Sequence, residues 1–173
     1  NNWPSDKPIL FRLSCIDRFE GGLEIEDTIE LAKELKKRGI DAIDCSSGGI
    51  KGPNSLFSLA TKSPPTPGYQ VPLSEAVRHG AEMPTMAVGM IMDPPHAEQI
   101  ISDGQADLIA LGREALFNPH WALHAARLLN EGQTFDDWPP NMGWWLEVRQ
   151  RMLSSTDPKD WRIGPAAANA PSR

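Results

Sequence analysis

Four apolar runs, each followed by a stretch of helical periodicity, constrain this chain more than any other feature. The runs are "ILFRLSC" (9–15), "IDAIDCSSGG" (40–49), "PTMAVGM" (84–90) and "ADLIAL" (106–111). Each is apolar nearly throughout rather than alternating, which is the pattern of a strand buried on both faces of a parallel sheet. The intervening segments predict helices. Acidic residues crowd the start of the first, Leu23, Ile29, Leu31 and Leu35 give it an apolar face, and basic residues lead to a stop at Gly39, a charge order that complements the helix dipole. "LSEAVRHGA" predicts the second, and Asp93 with two prolines opens the third, "DPPHAEQIISDG". After "GRE", the final amphipathic helix, "NPHWALHAARLLNEG", is opened by Asn118 and Pro119.

Strand and helix therefore alternate four times, as in an α/β chain whose parallel sheet is wrapped by helices. Closed eight-stranded barrels of this kind typically need about 250 residues. This chain has 173 and begins, without a methionine, just before a strand. The expectation is the C-terminal half, about four βα units, of a TIM-type eight-stranded βα barrel over residues 1–131. Residues 132–173 form an extension that carries four of the six tryptophans and ends in "GPAAANAPSR", read as disordered. Residues 50–72 read as a long Pro/Gly/Ser loop, a length that inside a compact domain usually signals function or disorder.

Composition excludes several classes. A formal net charge of −6 argues against nucleic acid or an anionic membrane surface as partner. No apolar run approaches the roughly 20 residues that span a bilayer. The two cysteines, Cys15 and Cys45, lie in strand-like segments outside any CxxC pair. They read as buried free thiols in a reducing compartment, hence a cytoplasmic location. His120 and His124 share helical spacing but lack an acidic or cysteine partner, so no metal site is expected. Neither a GxSxG elbow nor a P-loop is present.

Chemistry concentrates where strands end. Gly89 and Gly112 close two successive strands, and Arg113 follows at the mouth of the second. Glycines there let backbone amides approach a phosphate, which a guanidinium grips bidentately. In eight-stranded barrels a phosphate site frequently forms from the loops after the last two strands. Tight turns, with Arg113 paired to Glu114 or another acid, are the alternative. Arg12 interrupts "LFRLS", where a lone buried charge needs a partner. Asp44 on the next strand or a ligand inside the barrel would each serve. The tail tryptophans read as packing, as a partner's pocket filler or as lining of a substrate site.

Taken in order, "FRLSCIDRFEGG", "DAIDCSSGG", "PGYQVP", "AVGMI" and "GQADLIALGREALFNPHWALHAARLL" resemble the C-terminal half of the Old Yellow Enzyme family of NADH:flavin oxidoreductases, especially its small quinone-reductase-like members. The resemblance implies a βα barrel with noncovalent FMN that takes hydride from NADPH or NADH and reduces activated alkenes such as enones, maleimides and nitroalkenes. It implies that Arg12 contacts the flavin pyrimidine edge and that Gly89, Gly112 and Arg113 hold its phosphate. Tyr69 and Gln70 match the family's "PGYQ" with no role assigned. The family's carbonyl-gripping pair and proton-donating tyrosine lie in the other half of the barrel, so no catalytic residue is assigned here. Trp145 or Trp144 would form a substrate-side lid, and the complete protein would be a homo-oligomer that includes the missing N-terminal half. A non-catalytic half-barrel that binds a phosphate ligand or self-associates is the alternative.

Overall fold

The structure is a computed structural model of the chain and describes residues 3–17, 21–48, 65–129 and 134–157. They fall in two compact units divided between Trp121 and Ala122.

In the first unit, four strands, β1 (Leu10–Ser14), β2 (Ala42–Ser46), β3 (Thr85–Ala87) and β4 (Leu108–Ile109), form one parallel sheet in sequence order. Helices α1 (Ile25–Lys37), α2 (Val71–Ala81) and α3 (Pro94–Ser102) fill the three crossovers. This is the βα repeat of a partial TIM-type barrel. The register places Leu13 beside Cys45 and Arg12 beside Asp44. Because successive strand residues point to opposite faces, the two sides differ sharply in chemistry. Leu13, Cys15, Ile43 and Cys45 pack with Ala32, Val77 and Ala81 into the core beneath α1 and α2. Complete burial of Ile43 and Val77 contributes about 1.5–3 kcal/mol each. A second cluster joins Ala87, Val71, Ala97 and Ile100, with Ile109 and Trp121 against it. The opposite face carries Leu10, Arg12, Ser14, Asp44, Ser46, Met86 and Leu108.

Helix starts follow local chemistry. Glu24 and Asp27 form a reciprocal capping box at α1, and the Asp93 carboxylate accepts from the His96 N–H at 3.2 Å to open α3. The segment expected as loop through residue 72 is instead helical from Val71, because Pro72 sits in the first turn, where a missing N–H breaks no intrahelical bond. Residues 50–64 of that loop lie outside the described residues, as do Gly49 of the second apolar run and the "GPAAANAPSR" tail.

The apolar runs overstate the strands. β3 stops at Ala87, shortly before the positive-φ turn at Gly89 and Met90, and β4 is limited to Leu108–Ile109, although the Ala110 N–H still donates to the Ala87 carbonyl at 2.8 Å. Nor is β1 buried on both faces: Leu10 and Phe11 are 45% and 43% exposed, and Leu108 on β4 is 44% exposed. These are the two edge strands among the described residues.

Beyond β4 the chain makes a one-turn helix, α4 (Arg113–Phe117), before α5 (Trp121–Leu129), which begins three residues after Asn118. In the second unit, Phe135 and Trp138 are buried and meet edge to face at 5.9 Å, with the Arg127 guanidinium 4.2 Å from the Phe135 ring centre. Helix α6 (Pro140–Ser154) follows, with Pro140 in its first turn. Sequence periodicity does not reveal α6, since Trp144, Trp145, Met142 and Met152 are all exposed and define no buried stripe.

Candidate functional site

A cleft of about 610 Å³ opens where the strands end, and Arg12, Gly89, Gly112 and Arg113 all line it. Four positions spread over a hundred residues of sequence thus converge on the C-terminal rim of one parallel sheet, the rim on which such folds bind ligands. A more open depression of about 440 Å³ lies at the opposite ends of β3 and β4. There the Arg78–Asp107 pair is engaged through two hydrogen bonds of 3.0 Å, and Asp107 also accepts from the Thr85 N–H at 2.9 Å. That arrangement pins strand starts together and commits the Arg78 and Asp107 charges to each other.

Arg12 is not the buried charge that its apolar neighbours suggest. Its side chain is 61% exposed, because β1 is an edge strand and the residue faces the cleft. The guanidinium lies 3.3 Å from Asp44 Oδ2, and its Nε donates to Ser46 Oγ at 3.3 Å. Ser46 in turn donates to the Leu13 carbonyl at 2.9 Å. Asp44 is only 15% exposed, and its Oδ1 has no hydrogen-bond partner among the described residues. Burial pushes the Asp44 carboxyl above its ordinary range, and the Arg12 charge opposes that shift. The structural partner foreseen for Arg12 and its exposure to a ligand therefore coexist.

Gly89 begins a sharp turn after β3, with φ of +127° followed by +55° at Met90. A Cβ at Gly89 would lie 3.0 Å from both Gln70 Nε2 and Tyr69 Cε1, so glycine is required both by conformation and by the close approach of those side chains. Gly112, by contrast, has open space where a Cβ would stand. Arg113 opens α4, is exposed, and pairs with neither Glu114 nor another acid among the described residues.

Sequence reasoning singled out Gln70 within "PGYQ" but assigned it no role. It is 3% exposed, stands at the N-cap position of α2 and lines the cleft, with its side chain bonded to strand ends rather than to the helix. Its Oε1 accepts from the Ser47 N–H at 2.6 Å and from Ser47 Oγ at 2.9 Å, while its Nε2 donates to the Val88 carbonyl at 3.0 Å. The available signal was a glutamine directly ahead of a helix-opening "VP", a position whose side chain lies close to neighbouring strand ends. Apolar wall comes from Met92 and Phe117, with Trp121 Nε1 donating to the Met92 carbonyl at 2.7 Å. Trp144 and Trp145 lie on α6 in the second unit, 57% and 63% exposed, with ring centres 4.3 Å apart.

Comparison with known proteins bears on this geometry. A family model described as NADH:flavin oxidoreductase / NADH oxidase matches residues 3–131. An "NADPH dehydrogenase" of Halalkalibacterium halodurans is 47% identical over 121 residues, 70% of this chain and 33% of that protein. An "NADPH dehydrogenase" of Bacillus subtilis is 44% identical over 126 residues, 72% of this chain and 35% of that protein, and one of Listeria innocua is 42% identical over 126 residues. The chain spans about a third of the length of these curated relatives. A parallel βα sheet with a cation-lined cleft at its C-terminal rim, matched over most of its length by that family model, places the chain in the NADH:flavin oxidoreductase / NADH oxidase family.

Proposed function

We infer that this chain supplies the phosphate and pyrimidine contacts for FMN in an NADPH- or NADH-dependent oxidoreductase that reduces activated C=C bonds, the remaining barrel coming from outside residues 1–173. The observation that carries this reading is the convergence of Arg12, Gly89, Gly112 and Arg113 on one cleft. Its volume, about 610 Å³, lies in the range of cofactor sites, roughly 300–1,000 Å³. The donor set fits a flavin mononucleotide: a guanidinium with no acidic partner among the described residues, beside an unobstructed glycine, suits a phosphate, and a second cation on another strand suits a ring edge that gains negative charge.

When bound, FMN supplies acceptance of hydride from the nicotinamide and its delivery to the alkene. Arg113 holds the phosphate, and the bare backbone at Gly112 lets the anion approach. Arg12, steadied by Asp44 and Ser46, places positive charge at the pyrimidine edge and favours the reduced form. Met92 and Phe117 offer apolar surface along part of the cleft wall. No residue of this chain is assigned to grip the substrate carbonyl or to donate the proton. Trp145 and Trp144, as exposed aromatics, are assigned to the substrate side, in an assembly of more than one copy.

An FMN titration followed by flavin fluorescence, run in parallel with riboflavin and with Arg113→Ala, tests this. FMN should be preferred over riboflavin, and the substitution should abolish the preference. Equal binding of both flavins, unchanged by the substitution, refutes it. Exposure of Leu10, Phe11 and Leu108 at the two sheet edges supports a second reading, a self-associating half-barrel without catalysis. A discrete symmetric assembly of this chain alone in sedimentation would favour that reading, and aggregation relieved by a complementary barrel half would refute it.

A further inference from the structure

We propose that Gln70 is a positioning residue that sets the anion-binding turn at Gly89 in register with the strand end that supports Arg12, a deepening that rests on the FMN reading above. The bonds run without a break across the floor of the cleft. Arg12 donates to Ser46 Oγ at 3.3 Å. The next residue, Ser47, donates through N–H and hydroxyl to Gln70 Oε1 at 2.6 and 2.9 Å. Gln70 Nε2 then donates at 3.0 Å to the carbonyl of Val88, immediately before the Gly89 turn. A single buried carboxamide thus ties the end of β2 to the end of β3, beyond the last residue pair of the two strands, Cys45 with Ala87.

Beyond that pair the sheet register no longer fixes the separation of the two strand ends, which is why a side chain is needed there. The amide is suited to the task because Ser47 offers two donors to one atom and Val88 offers an acceptor to the other. No other side chain of this length carries both functions. The backbone adds a further tie, the Gly68 N–H donating to the Gly89 carbonyl at 2.8 Å. The Tyr69 ring lies beside the same glycine. Segment 68–70 therefore clamps the turn from one side, and Gln70 is the member of the clamp that also reaches β2. In the holoprotein the consequence is a fixed spacing between the group that binds phosphate and the group that meets the flavin ring.

The test uses Gln70→Leu, which removes both sets of bonds, and Gln70→Glu, which keeps the acceptor for Ser47 and loses the donor to Val88. Hydrogen–deuterium exchange is read on the protein without flavin. Both substitutions should speed exchange at residues 88–91, and only Gln70→Leu should also speed it at 47–48, with α1 unchanged as the control for folding. FMN and riboflavin affinities of the holoprotein are then compared. The FMN preference should fall about tenfold in both variants while riboflavin affinity holds, since a misplaced turn costs only the phosphate contacts. Unchanged exchange at 88–91 in Gln70→Glu overturns the proposal, and so does faster exchange with an undiminished FMN preference. A wild-type protein with no FMN preference, insensitive to Arg113→Ala, refutes the FMN reading itself and this proposal with it.

Discussion

Gly89→Ala should destabilise the fold by roughly 1.5–3 kcal/mol, and the magnitude follows from the turn's geometry. At φ of +127° an alanine is forced into a conformation that L residues rarely adopt, at a cost of about 1–3 kcal/mol. Its Cβ would also stand 3.0 Å from Gln70 Nε2 and from Tyr69 Cε1. The glutamine cannot retreat without weakening its bond to Val88, a loss of about 1 kcal/mol. Alanine restricts the unfolded chain, which returns about 0.4–1 kcal/mol. Gly112→Ala is the internal control, because nothing lies within 4 Å of its Cβ position. That variant should cost no more than about 1 kcal/mol, the loss of a glycine N-cap on the one-turn α4, while weakening FMN binding. Urea unfolding followed by far-UV circular dichroism reads both, provided the slope with denaturant is unchanged. Equal midpoints for the two variants would refute the reasoning, since the turn would then not depend on the absent side chain.

Two carboxylates should move acid stability in opposite senses. The Arg78 hydrogen bonds, with the Thr85 N–H, hold Asp107 below the ordinary carboxylate range, so its stabilisation is present above a pH of about 4 and is lost as pH falls through the folded-state value. Asp107→Asn should therefore lower stability at neutral pH and flatten the acid side of the curve. Asp44 is raised by burial, so its contribution is present below a pH of about 4 and is lost as pH rises through the folded-state value. Asp44→Asn should remove that decline, and a matching response of the two variants in a pH series of urea melts would contradict these assignments. Cys15 and Cys45 are both fully buried, and the hydrogen bond to Cys15 together with burial pushes the Cys45 thiol up. Neither should react with a thiol-specific aromatic disulfide until urea unfolds the chain, and two equivalents of rapid colour from the native protein would count against this packing. In the second unit, a Cβ at Gly143 would lie 2.7 Å from the Phe135 carbonyl oxygen. Gly143→Ala should loosen that unit by about 1–3 kcal/mol, read as loss of near-ultraviolet tryptophan dichroism on mild heating, because the neighbour is backbone and has little room to yield.

The sequence by itself determined the repeat of strand and helix, the helix starts marked by Asp93 and by acidic residues ahead of Ile25, and the pair of free, buried cysteines. These are local signals. Hydrophobic period, capping chemistry and charge order act over a few residues and so can be read along the chain. It also marked Arg12, Gly89, Gly112 and Arg113 as residues in unusual company, and the family resemblance led to the expectation that all four meet one flavin.

Tertiary structure alone decided the partners and exposure of those residues. Arg12 is exposed because β1 lies at a sheet edge, and only pairing order determines an edge. β3 is shorter than its apolar run because the chain turns at Gly89 and Met90, with the Tyr69 and Gln70 side chains packed against that turn. Gln70 itself carries no periodic signal. Its importance comes from three hydrogen bonds to residues 23 and 18 positions away, and bonds of that range exist only once β2, β3 and α2 have packed together.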